Sequence, residues 1–160
     1  MAKMLAEGDK APLFSLEADG GQTVSLKDFA GKPVVLYFYP KDDTPGCTKE
    51  AIDFSAAAAA FKKLGAAVIG VSKDSVASHA KFKKKHGLAL TLAADPEGKV
   101  VESYGSWVEK SMYGRTYMGI DRSTFLVDKK GKIAKIWRKV RVPGHVEEVL
   151  ALTKALGASS

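Results

Sequence analysis

The sequence predicts an α/β protein with a mixed central sheet flanked by helices on both faces. Three observations carry that prediction. Two continuous apolar, β-rich runs, P-V-V-L-Y-F-Y (33–39) and A-A-V-I-G-V-S (66–72), read as strands covered on both sides. Each is followed by a segment of helical periodicity. Hairpin patterns open and close the chain, so antiparallel strands join the sheet and make it mixed.

In chain order, P-L-F-S-L-E (12–17) and Q-T-V-S-L (22–26) alternate apolar and polar residues around the turn A-D-G-G, an N-terminal β-hairpin. L-K-D-F-A-G is one helical turn ending at Gly31. The first buried strand is stopped by Pro40, and a helix is expected from Thr44 to Leu64, with Phe54, Ala57, Ala58, Phe61 and Leu64 as its buried stripe. After the second buried strand, Ser75 to His86 is an amphipathic helix closed by Gly87. A short strand (89–93), the turn D-P-E-G and a short helix (Lys99 to Tyr104) follow. Residues 105–119, rich in Gly, Ser and Tyr, read as irregular. S-T-F-L-V-D (123–128) and K-I-A-K-I-W-R (132–138) form a hairpin through K-K-G, and Pro143 begins a last helix reaching Leu156, after which fraying is expected. No linker interrupts the 160 residues, so one domain is expected.

Composition narrows the function. The charged N-terminus lacks the apolar stretch of a signal peptide, and no run approaches the roughly 18–20 apolar residues of a membrane span, so a cytoplasmic protein without a membrane partner is expected. A net charge of +7 gathers at Lys81–Lys85, at Lys129–Lys132 and at Lys135–Arg141. No nucleic-acid motif accompanies it, and these clusters read as solvated helix and hairpin faces. His79, His86 and His145 show no ligand spacing and read as surface or half-buried residues; no metal and no cofactor are expected.

The chemistry centres on one cysteine in P-K-D-D-T-P-G-C-T-K-E (40–50). Thr44 suits a helix N-cap and Pro45 the first helical position, which puts Cys47 in the first turn. There backbone N–H groups lack carbonyl partners, and the helix dipole favours negative charge; both stabilise a thiolate. Lone cysteines are often buried structural residues. Here the polar neighbours Lys41, Asp42, Asp43, Thr48, Lys49 and Glu50 argue for a reactive thiol instead. A C-x-x-C pair is excluded by Glu50, a cysteine phosphatase by Asp53, and a cysteine protease by the absence of a marked histidine. A thiolate with no adjacent base suits a weak, easily cleaved bond such as the peroxide O–O bond.

F-Y-P-K-D-D-T-P-G-C-T-K-E, with G-I-D-R-S-T-F-L-V-D (119–128) and G-D-K-A-P-L-F-S-L (8–16), resembles the peroxiredoxins, specifically the bacterioferritin-comigratory-protein or PrxQ subfamily. The three blocks fall in the expected order and span essentially the whole chain. The resemblance implies a thioredoxin-like fold with the N-terminal hairpin as an extension. It implies that Cys47 is the peroxidatic nucleophile, that Thr44 hydrogen-bonds the peroxide, that Arg122 pairs with the thiolate, and that Pro40 shields it. Glu50 matches a position that holds Arg122. It implies hydrogen peroxide and organic hydroperoxides as substrates and a monomeric state.

The sequence departs from the subfamily where a second, resolving cysteine is carried. Five residues after Cys47 stands Ile52, and on the following helix the position falls near Lys83. An external thiol, thioredoxin or glutathione with glutaredoxin, is therefore expected to resolve the oxidised cysteine. With no internal bridge to form, the first helix is expected to be less mobile than in two-cysteine relatives. The competing reading is a redox-sensing or partner-binding thioredoxin-like module without efficient turnover.

Overall fold

A computed structural model describes residues 5–158. The N-terminal residues 1–4 and the terminal pair on which fraying was expected lie outside them.

β1 (Ser15–Ala18) and β2 (Thr23–Ser25) form the opening hairpin, with Ser15 opposite Ser25. A 3-10 turn at Leu26–Phe29 is fixed by a capping box: Asp28 accepts from the Ser25 N–H at 3.1 Å, while the Ser25 side chain receives the N–H three residues on. Next come β3 (Val34–Phe38), α1 (Pro45–Ala56), α2 (Ala58–Lys63), β4 (Ala67–Ser72), α3 (Val76–His86), β5 (Thr91–Ala94) and α4 (Lys99–Ser103). The chain closes with β6 (Trp107–Met112), β7 (Arg115–Ile120), β8 (Ser123–Val127), β9 (Ile133–Trp137) and α5 (His145–Ala158).

Seven strands form one sheet in the order β2-β1-β5-β4-β3-β8-β9. β3 is parallel to β4, which is parallel to β5, while β8 pairs antiparallel with β3. The sheet is mixed, as expected. Both its faces are covered, and the alternation along β3 shows how. Val34, Leu36 and Phe38 point into a cluster with Val101, Tyr104 and Phe125, on the side of α4. Val35, Tyr37 and Tyr39 point into a second cluster with Phe54, Phe61, Phe82 and Val149, beneath α1, α2, α3 and α5. Every residue of β3 is buried, which is why the run reads as continuously apolar.

Two expectations are corrected. The helix expected over 44–64 is interrupted at Ala57, whose backbone (φ −91°, ψ 0°) leaves helical geometry. The break lets Phe54 and Phe61 bring their rings within 6.1 Å, although seven helical residues would separate them by about 10 Å along an axis. The alanine run around it carries no side-chain signal of where the ladder stops. Residues 105–119 are not irregular: β6 and β7 form a six-pair hairpin outside the main sheet. Its two-residue turn is Tyr113-Gly114, both at positive φ, and a tyrosine in that conformation is a weak sequence signal for a hairpin.

Candidate active site

The sheet itself brings the predicted residues together. Ser123, the first residue of β8, lies opposite Phe38, the last of β3. Arg122 therefore stands where β3 hands over to α1. Arg138, by contrast, donates to the carbonyls of Gly105 and Tyr104, and Arg115 and Arg141 are exposed.

Cys47 is the third residue of α1, as the Thr-Pro-Gly-Cys spacing predicts. The polar neighbours suggested an open position, but Cys47 is only 2% exposed and belongs to the apolar cluster under α1. The reason is helical phase: Cys47, Glu50, Ala51 and Phe54 share the inward face, while Lys49 on the same helix is exposed. Arg122 Nη2 donates to Cys47 Sγ at 3.3 Å, and Nη1 donates to Glu50 Oε1 at 2.8 Å. One guanidinium thus bridges the thiol and a fully buried carboxyl. Gly46 makes the approach possible, because a Cβ there would lie 3.1 Å from Nη2.

Burial pushes the Glu50 carboxyl up to about 7, against the pull of Arg122. Burial also works against the Arg122 charge, but Glu50 and the Cys47 sulfur more than offset it, and its proton is held more tightly than usual. Glu50 Oε2 has no hydrogen-bond partner among the described residues, which suits a carboxyl that resists ionisation.

Thr44 occupies the N-cap position with extended backbone, but its side chain makes no capping bond. Its hydroxyl donates instead to the Lys41 carbonyl at 2.9 Å. The Gly46 and Cys47 N–H groups, which have no carbonyl within the helix, are left uncapped by it. Pro40 is exposed, on the bend between β3 and this loop.

The model of the AhpC/TSA family matches residues 7–136. The chain is 52% identical over 143 residues to a Coxiella burnetii protein described as a putative peroxiredoxin bcp, covering 89% of this chain and 95% of that one. It is 52% identical over 147 residues to Bacillus subtilis peroxiredoxin Bcp, covering 92% and 94%. The chain belongs to the AhpC/TSA family. Among solved structures, the Xanthomonas campestris bacterioferritin comigratory protein, described for its alkyl peroxide reduction activity, superposes with a TM-score of 0.86 at 44% identity, covering 90% of this chain and 92% of that one. Xylella fastidiosa PrxQ gives 0.90 at 38%, covering 97% and 98%. The thioredoxin-like peroxiredoxin fold follows from these likenesses, and with it the class of enzyme, a thiol-dependent peroxidase.

In this peroxiredoxin Cys47 is the only cysteine. The two positions at which the resemblance led a resolving cysteine to be sought are otherwise employed. Ile52 is 40% exposed on α1, and Lys83 pairs with Asp19 at 2.8 Å, tying α3 to the N-terminal hairpin.

Sequence reasoning missed the residues that hold the loop. Asp42 is buried and accepts from Tyr39 Oη (2.6 Å) and Ser78 Oγ (2.7 Å), with His79 Nδ1 at 2.8 Å from it. The Asp42 N–H donates to Asp74 Oδ2, and Asp43, at φ 61°, receives Lys85 and His86. Burial opposes ionisation of Asp42, but the bonds from His79 and Tyr39 prevail and hold its carboxyl below the usual range. His86 is half-buried as expected, but the other two histidines are corrected. His79 is fully buried, with Nε2 on the Ala93 carbonyl, and His145 is 5% exposed, bonded to Thr124. Each is enclosed because a sheet-facing polar group meets it, a long-range pairing that spacing along the chain does not reveal.

Proposed function

We propose that the chain reduces hydrogen peroxide and organic hydroperoxides through a sulfenic acid on Cys47, which an external thiol resolves. The observation that carries the reading is the Arg122 guanidinium, bonded at once to Cys47 Sγ and Glu50. A positioned cation and first-turn N–H groups stabilise negative charge on the sulfur and follow it as it moves.

Cys47 attacks as thiolate along the O–O axis: an S–O bond forms, the O–O bond breaks, and the pair leaves on the departing oxygen, which takes a proton from solvent. Products are Cys47–SOH and water or an alcohol. Thr44 already donates its proton to Lys41, so its lone pairs accept the peroxide O–H. The Gly46 and Cys47 N–H groups and Arg122 face the charge that grows on the peroxide. Glu50 is assigned the orientation of Arg122, and Pro40 the rim of the opening. A thiol R′SH then displaces water from Cys47–SOH to give Cys47–S–S–R′, and a second thiol releases Cys47 as R′–S–S–R′ forms. Thioredoxin and glutathione with glutaredoxin are the candidate reductants, because Cys47 has no partner within the chain.

The test is peroxide consumption with each reductant system in parallel, beside Cys47→Ser. Sustained turnover with either, lost in the variant, supports the reading. Oxidation of Cys47 once, without recycling by any thiol, favours the redox-sensor reading instead.

A further inference from the structure

The peptide group between Lys41 and Asp42 is bonded on both sides. Its carbonyl accepts the Thr44 hydroxyl at 2.9 Å, and its N–H donates to Asp74 Oδ2 at 2.8 Å. A peptide group is planar and rigid, so fixing the N–H also fixes the direction of the carbonyl. Two consecutive hydrogen bonds thus join Asp74 to Thr44, and nothing in the reaction above uses Asp74.

The fold explains the meeting. β3 and β4 are parallel neighbours, and their carboxyl ends lie side by side, with the Tyr39 N–H on the Val71 carbonyl at 3.1 Å. The loop after β3 carries Lys41 to Thr44, and the loop after β4 carries Asp74. Asp74 is itself held in place. Ser72 Oγ donates to Oδ2 at 2.7 Å, and the Asp74 N–H donates back to Ser72 Oγ at 3.1 Å. Ser72 is fully buried. The Thr44 loop needs such an outside anchor, because it turns at Asp43 with φ 61°, a left-handed conformation that L-residues adopt at a cost.

Both side-chain and backbone donors to Asp74 Oδ2 are neutral groups. A carboxylate at the N–H end of a peptide group polarises it and strengthens the carbonyl as an acceptor. That carbonyl holds the Thr44 proton, which leaves the lone pairs of the hydroxyl oxygen for the peroxide O–H.

We propose that Asp74 is a positioning residue for the peroxidase reaction: through the Lys41–Asp42 peptide group it sets the direction of the Thr44 hydroxyl that receives the substrate. The inference rests on the peroxidase reading and adds to it a residue outside the P-K-D-D-T-P-G-C block.

The readout is the second-order rate constant for loss of the Cys47 thiol in a quenched single turnover at pH 7, which needs no reductant. It is measured with hydrogen peroxide and, separately, with methyl methanethiosulfonate. The second reagent also reacts with a thiolate but carries no O–H for Thr44 to accept. The quantity compared is the ratio of the two constants, peroxide to thiosulfonate. Asp74→Ala is expected to lower that ratio roughly five- to tenfold, the effect of one hydrogen bond. Asp74→Asn keeps an acceptor oxygen without the charge and is expected to lower it about two- to threefold. In the Thr44→Val background neither substitution is expected to lower the ratio further. A merely structural Asp74 would slow both reagents together, or would cost as much without the Thr44 hydroxyl as with it. Either result, in whichever variant folds, overturns the inference. If the thiol of the unaltered protein reacts with the thiosulfonate but survives hydrogen peroxide, the peroxidase reading falls and takes this inference with it.

Discussion

Gly46 shows how tightly the single residues of the site are matched. A methyl group there would stand 3.1 Å from Arg122 Nη2 and push the guanidinium by a few tenths of an ångström. Alanine is also a better helix former than glycine by about 1 kcal/mol. Gly46→Ala is therefore expected to fold at least as stably as the unaltered chain, yet to react with peroxide several-fold more slowly. Thermal unfolding and the single-turnover rate, measured side by side, check this; an unchanged rate would mean that Arg122 has slack at the sulfur. At this scale the sequence was largely readable. Thr44, Pro45, Gly46 and Cys47 are adjacent, and their meaning follows from helix-end chemistry. Arg122 was found by its motif alone, since nothing local distinguishes it from Arg115 or Arg138. Asp42 and His79 stayed hidden because their partners come from Tyr39 just past β3, from β5 and from α3, which only the fold brings together.

Among the elements, α1 carries the tension between burial and resolution. A sulfur 2% exposed cannot form a disulfide with a separate thiol unless the first turn moves away from Arg122. Loss of an internal partner was expected to quiet this helix. The burial of Cys47 means that an external thiol makes the same demand. Hydrogen exchange across residues 44–56 is expected to be slow in the reduced protein and faster at residues 45–49 once Cys47 is oxidised. Equal protection in both states would contradict this and imply a route to the sulfur without opening. The strands of the main sheet were legible because burial on both faces writes a continuous apolar run. The β6–β7 hairpin was not, because it stands apart from that sheet, exposes Met112, Tyr113 and Tyr117, and turns at a tyrosine. The break at Ala57 was equally silent, since alanine fits helix and kink alike.

For the whole molecule, the buried site has a cost that varies with pH. Glu50 titrates at about 7 in the fold against 4.5 in the open chain. Between those values the folded state holds a proton that the unfolded state has released. Its contribution is thus fully present below about pH 4.5 and is lost as pH rises through 7, on the order of 3 kcal/mol in all. His145 acts in the opposite sense: burial depresses its proton affinity, so its share of stability grows as pH rises toward 6.5. The difference between the unaltered protein and Glu50→Gln isolates the carboxyl. Glu50→Gln is expected to gain stability relative to the unaltered chain from pH 5 to pH 8, read by urea unfolding. A constant difference across that range would show that Glu50 stays ionised beside Arg122.

In the proposed reaction, the sheet, helix end and guanidinium together make one sulfur react with a peroxide and be recovered. Turnover tests that most directly: hydrogen peroxide consumed per Cys47, with thioredoxin, thioredoxin reductase and NADPH or with glutathione and glutaredoxin, beside Cys47→Ser. Many equivalents consumed with at least one system, and none above background in the variant, is the result expected. Equal consumption by Cys47→Ser, or a Cys47 thiol that survives excess peroxide, would contradict the account at its centre.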